Sequence, residues 1–178
     1  VDPMNPASGA KVIERFFQPF ADHCPCDLSK ALNYFFHDEL TFGVDGWLWN
    51  GQFAAEFKKR KGYDILPLLP ALFIDIGPET PKVRLDCADV MVSLEEENFF
   101  RPIFEWHWSR GIMYACDPGS RGKNPSEFGD YFRCVRWYAA PGHDTPVGAL
   151  DHARADHVTS RQVGGVINRS GVVGQVAF

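Results

Sequence analysis

Along the chain the apolar positions repeat at two different spacings, and each change of spacing marks an element. Val12, Ile13, Phe16, Phe17 and Phe20 follow Ser8-Gly9-Ala10 at three- and four-residue steps. That pattern predicts a short helix ending near Pro19. Residues 22–29 read as a loop with a brief turn. Asn33-Tyr34-Phe35-Phe36-His37 is an almost unbroken apolar and aromatic run, as expected of a strand buried on both faces, and it stops at Asp38-Glu39. Residues 52–61 predict a helix with Phe53 and Phe57 on one face, Asn50 as its cap and Gly62 as its stop. Asp64 is placed to cap a second, short helix through Ile65, Leu68 and Leu72, which Pro70 makes irregular.

The longest periodic segment covers 83–107. Leu85, Ala88, Val92, Phe99, Ile103 and Trp106 form its inward stripe, Glu95, Glu96 and Glu97 mostly face outward, and Pro102 kinks it. A second buried-strand run, 112–116, ends in Asp117-Pro118-Gly119. Strand, long helical crossover and strand together predict an α/β fold with parallel strands, amounting to part of a β/α barrel. The chain has 178 residues, whereas a complete barrel needs about 250. Beyond it, 127–137 carries aromatics and two arginines, 139–146 reads as a loop, 151–160 as helical, and the rest as a Gly- and Val-rich weak strand or tail. The division expected is a partial-barrel domain over 1–150 and a divergent tail over 151–178.

Composition narrows the function classes. Hydrophobic residues make up 45% and charged residues 23%, a globular balance. A formal net charge of -5 gives no general affinity for nucleic acid, and the one dense basic run, Lys58-Lys59-Arg60-Lys61, closes a predicted helix where cations suit the dipole. No stretch reaches the 18 to 20 apolar residues of a membrane span, and the opening residues lack a signal-peptide pattern, so the chain reads as soluble. Five cysteines at uneven spacing read as reduced thiols, and Cys24-Pro25-Cys26 matches neither a redox pair nor a zinc half-site.

The candidate chemistry gathers at the strand ends. In parallel α/β folds the residues just beyond strand carboxyl ends line the ligand cleft. Glu39 there is a candidate general acid whose pKa burial would raise, with Asp38 or His37 holding its geometry; helix capping or a surface ion pair is the competing reading. Asp117 holds the corresponding place after the second strand, either as a second carboxylate or as the organiser of the Pro118-Gly119 turn. His37, Trp47, Trp49 and Asn50 are the candidate substrate-binding residues, since indole faces stack on sugar rings; core-loop packing is the alternative for both tryptophans. Glu105 and the remaining histidines read as surface or packing residues. The sequence has no His-Glu-x-x-His pair, Gly-x-Ser-x-Gly elbow, phosphate loop or dinucleotide fingerprint.

Taken in order, Phe35-Phe36-His37-Asp38-Glu39, Leu48-Trp49-Asn50, Glu56 through Asp64 with Lys61-Gly62-Tyr63-Asp64, and Leu69-Pro70-Ala71-Leu72 resemble the central barrel region of α-L-rhamnosidase-like glycoside hydrolases. Phe99-Phe100-Arg101-Pro102, Glu105-Trp106-His107 and the stretch from Glu127 to Trp137 extend the resemblance over about residues 1–150. It implies hydrolysis of a glycosidic bond in a plant or microbial carbohydrate, a rhamnoside among the candidates, with Glu39 as the acid, Asp38 supporting it and Asp117 contacting sugar or an ion. It also admits calcium as a cofactor, without a ligand set. The family expects a second catalytic glutamate on a later strand, yet residues 150–178 contain none. The alternatives are therefore a carbohydrate-binding remnant without catalysis and an oligomeric structural fragment of a larger hydrolase.

Overall fold

The computed structural model describes residues 1–24, 27–32, 34–44, 46–117 and 125–141. The expectations for Pro25, Cys26, Pro118-Gly119 and His143, and for the tail over 151–178, lie outside the described residues. The elements are α1 (Ser8–Val12), α2 (Gln18–His23), α3 (Leu28–Ala31), β1 (Tyr34–Asp38), α4 (Phe53–Lys61), α5 (Thr80–Glu95), α6 (Arg101–Trp108), β2 (Met113–Asp117), α7 (Pro125–Phe128), α8 (Tyr131–Cys134) and β3 (Ala140–Pro141). The three strands form one parallel sheet in the order β1-β2-β3, with helices in each crossover. This is a mixed α/β fold with a small parallel sheet. The described strands do not close into a barrel.

Helical packing covers one face of the sheet. Phe35 meets the rings of Phe17 at 5.2 Å and Phe20 at 5.1 Å, and its register partner Tyr114 stacks on His107 at 4.7 Å. Alternate residues point the other way, and Tyr34 and Phe36 are 55% and 53% exposed. The reading of this run as a strand buried on both faces is therefore corrected. Its unbroken apolar character hides a strict alternation of burial along β1, whereas β2 is buried at Tyr114, Ala115 and Cys116 alike.

Two π-helical turns shape the helical layer. One, Ile13–Phe17, joins α1 to α2, and the other, Glu96–Phe100, joins α5 to α6. A proline follows each within two residues, Pro19 in the first case and Pro102 in the second. Proline lacks the amide donor and crowds the carbonyl four residues back, and a wider turn accommodates both defects without ending the helix. The 83–107 segment is thus interrupted by a π turn just before the kink expected at Pro102, and the first helix continues past Pro19 as α2.

The π turn also resets which residues face inward. Val83, Cys87, Val90, Met91 and Leu94 are buried on α5 together with the expected Val92, whereas Leu85 is 71% exposed. The acidic triplet is corrected in the same way: Glu95 and Glu96 are buried at 0% and 3% exposure, and of the three only Glu97 reaches the surface appreciably. Phe53 and Phe57 of α4 enter the core as expected, and Gly62 stops the helix at φ 80°. Its basic end is more than a solvated terminus. Lys61 bridges to Asp86 at 3.1 Å and Asp89 at 2.6 Å, and Arg60 pairs with Glu97 at 2.7 Å, tying α4 to the α5 helix and its π turn. The segment after Asp64 is a 3-10 helix, Leu66–Leu72, whose first amide is held by the Asp64 carboxylate at 3.0 Å. Pro67 and Pro70 explain why it is not an α-helix.

Candidate functional site

The parallel register sets Asp38 directly opposite Asp117, so these aspartates close β1 and β2 at the same carboxyl edge. Neighbouring strands lie about 4.8 Å apart, which makes the two backbones adjacent there. Asp38 is exposed on the uncovered face. The next residue, Glu39, is also exposed and has φ 33°, the one non-glycine residue among those described with a left-handed backbone. Such a conformation costs a bulky side chain roughly 1–3 kcal/mol and collects at functional sites. Locally, the chain turns sharply at Glu39 because Leu40 must return to the core cluster immediately after an exposed strand end.

His37 lies on the opposite face from Asp38. Its ring packs against Tyr114 at 5.2 Å and Tyr138 at 5.6 Å, and neither ring nitrogen has a hydrogen-bond partner. Burial pulls its pKa down to about 4, against the raising influence of Asp38, so at neutral pH it is an uncharged aromatic spacer. His107 behaves alike: its pKa is about 4 because it is buried, and its Nδ1 lies 2.8 Å from the Ile103 carbonyl oxygen.

The candidate sugar contacts divide. Trp47 donates its indole N–H to the Leu72 carbonyl at 3.1 Å and packs on the core cluster. Asn50 donates to Asp2 at 2.9 Å and accepts from the Gln52 amide at 3.0 Å, in the turn before α4; the N-cap of that helix is Gln52 and no side chain caps it, which corrects the reading of Asn50 as the cap. Trp49 is 42% exposed and leans on Phe53 at 4.8 Å between ring centres. Neither a hydrogen bond nor a ring contact joins any of these three to Asp38 or Glu39. Trp49 alone retains an open aromatic surface.

A cavity of about 260 Å³ opens at the other end of the sheet, lined by Trp108, Gly111, Ile112, Met113 and Ala139 beside the first residue of β2. Asp38, Glu39 and the strand position of Asp117 are at the opposite, carboxyl end, where ligands of parallel α/β folds bind. Among the described residues no group of three His, Cys, Asp or Glu side chains could hold a metal ion, so the calcium implied by resemblance has no fitting ligand set there.

Sequence reasoning missed the most enclosed ionisable group. Glu95 is fully buried with neither carboxylate oxygen hydrogen-bonded, and burial drives its pKa well above the ordinary value; Asp130, Glu96 and Asp2 push the same way and Arg133 opposes them. A signal was present, since Glu95 follows Met91 by four residues and Cys87 by eight, on the buried stripe. Beside it Glu96 accepts from Arg133, Arg136 and, at 3.0 Å, the Trp137 indole.

No protein-family model matches the chain, and no curated protein matches it at a significant level. No helix among the described residues is long and apolar enough to cross a membrane.

Proposed function

We propose that this chain is a glycoside-hydrolase-like domain whose three parallel strands form a segment of a β/α barrel, and that its chemistry sits at their carboxyl edge. The observation that carries the reading is the juxtaposition of Asp38 with Asp117 at aligned strand ends, followed at once by the strained backbone of Glu39. In this reading Glu39 donates a proton to the glycosidic oxygen as the C–O bond breaks, and the bonding pair leaves with that oxygen. Asp117 acts from the other side of the sugar, as nucleophile or as the base that activates water, and Asp38 orients the pair. Retaining hydrolases hold their two carboxyl groups about 5 Å apart and inverting ones about 6.5 to 9.5 Å. Trp49 supports a sugar ligand, because its exposed ring offers an apolar stacking face. Exposure of Glu39 in the free chain means that a bound sugar has to supply the desolvation that makes it an effective acid.

One observation favours a second reading, in which the chain binds carbohydrate without cleaving it: Trp47 is committed to packing and Asn50 to Asp2 and the Gln52 amide, leaving few side chains to position a substrate. A screen of the purified chain against glycans and aryl glycosides, with products identified by mass spectrometry, separates the two. Hydrolysis products support the enzyme. Saturable glycan binding with no product across the panel contradicts it and selects the binding module.

A further inference from the structure

A second cavity, of about 160 Å³, lies between the α5–α6 junction and the segment after α8, and it shares no residue with the carboxyl-edge site. By volume it admits roughly five waters at ~30 Å³ each, enough for one oxyanion with part of its hydration. Arg101, Arg133 and Arg136 line it, together with Glu96, Glu97 and Trp137.

Donors and acceptors are unbalanced there. The Glu96 carboxylate already accepts from Arg133, Arg136 and the Trp137 indole. Both oxygens of Glu97 accept from Arg60, at 2.8 and 2.7 Å, from outside the cavity. Arg133 spends its remaining N–H groups on Asp89 and Ser93. By contrast, the Arg101 side chain makes no hydrogen bond among the described residues, its charge only helping to hold Glu97 ionised, and the Arg136 side chain uses only its Nη2. Each guanidinium carries five donors and no acceptor. The lining therefore has donors left over and its carboxylates are taken.

Two of the guanidinium groups are also held in advance. Glu96 is almost wholly buried and anchors Arg133 and Arg136, and Arg136 further lies over the Trp137 ring at 5.0 Å. Ordering an arginine normally costs rotamer entropy at the moment of binding, and here the protein's own packing has met that cost for the anchored pair. This occurs in a chain whose net charge is -5, so the local excess of cations is not a general property of the surface.

We infer that this cavity is a binding site for a small oxyanion, a phosphate or carboxylate group, with Arg101 and the unengaged edge of Arg136 as its recognition groups. The charge-assisted pairs form at a partly open surface, so affinity is on the order of 1 mM and falls with salt.

The test is an NMR titration of the whole chain at low, constant ionic strength with inorganic phosphate, glucuronate and glucose, followed at the Trp137 indole N–H and the Arg101 Nε–H. Saturable shifts with an anion and none with glucose support the site. Phosphate binding identifies the phosphate group as a ligand, and glucuronate binding without phosphate binding identifies the carboxylate. Arg101→Ala should weaken the anion about fivefold without moving the melting temperature, because Arg101 is exposed and unbonded. No saturable shift with either anion, equal shifts with glucose, or unchanged affinity in R101A overturns the inference.

Discussion

Glu95 shows how a single carboxyl group can carry a pH dependence opposite to that of its surroundings. Its pKa stands near 4.5 in the unfolded chain and well above that in the fold, because burial penalises the charged form. Between those values the folded state keeps a proton that the unfolded state has released. Stability attributable to Glu95 therefore falls as pH rises from about 4.5, by at most about 1.4 kcal/mol per pH unit. His37 and His107 act the other way: their folded values of about 4 lie below the ordinary 6.5, so their contribution is lost as pH falls through that window. Glu95→Gln keeps the size and removes the ionisation. Urea unfolding of both proteins across a pH series should show E95Q gaining on the wild type as pH rises, with the histidine contributions cancelling in the difference. Parallel stability curves would refute a buried, ionisable Glu95. The exposed residues were easier to read from sequence than this one. Glu39 and Asp38 announce themselves by ending an aromatic run, whereas a Glu triplet on a helix normally faces water and only its phase on the α5 stripe shows otherwise.

That phase is a property of elements, and the π turn at Glu96–Phe100 decides it. Counting back from Phe99 and Ile103 in steps of three and four residues leads to Val92, Ala88 and Leu85. Val92 is buried, but the rest of the buried set, Leu94, Val90, Cys87 and Val83, is reached by a step of five across the π turn. A constant helical period thus finds the helix and its buried Val92, but drifts off the core by Leu85, which is exposed, and the one visible trace of the extra residue is Pro102. The same junction receives α1. Ser8 Oγ donates to the Asn98 carbonyl at 3.1 Å, and a Cβ added to Gly9 would stand 2.7 Å from that oxygen. Backbone oxygen cannot swing aside, so Gly9→Ala should cost about 1–3 kcal/mol by forcing α1 away from the π turn. Gly51→Ala is the matched control, since an added Cβ there meets nothing within 4 Å. Calorimetric melting of both variants checks this: a clear drop for G9A and little change for G51A is expected, and equal melting temperatures would contradict the close packing.

For the whole molecule, the order β1, helical crossover, β2 was legible in the sequence, because an aromatic run, a helical crossover and a second run admit few arrangements other than parallel pairing, whereas the short helices α3, α7 and α8 were not. Pairing of β2 with the two-residue β3 was not, since Ala140-Pro141 is too short to carry a period. Nor was the exposed face of β1, which depends on what packs against the strand rather than on how apolar it is. The register that aligns Asp38 with Asp117 is likewise a consequence of tertiary pairing, and it turns two isolated acidic strand ends into one candidate site. The claim that this edge is catalytic rests on Glu39, and the most direct test is the turnover of Glu39→Gln beside the wild type on an unactivated disaccharide that the wild type hydrolyses, with folding of the variant verified. Amide substitution preserves size and removes the transferable proton, so turnover should fall by about 100-fold or more while binding largely survives, and the loss should shrink on aryl glycosides with good leaving groups. Equal turnover of the folded E39Q protein on the disaccharide would contradict the assignment of Glu39 as the acid.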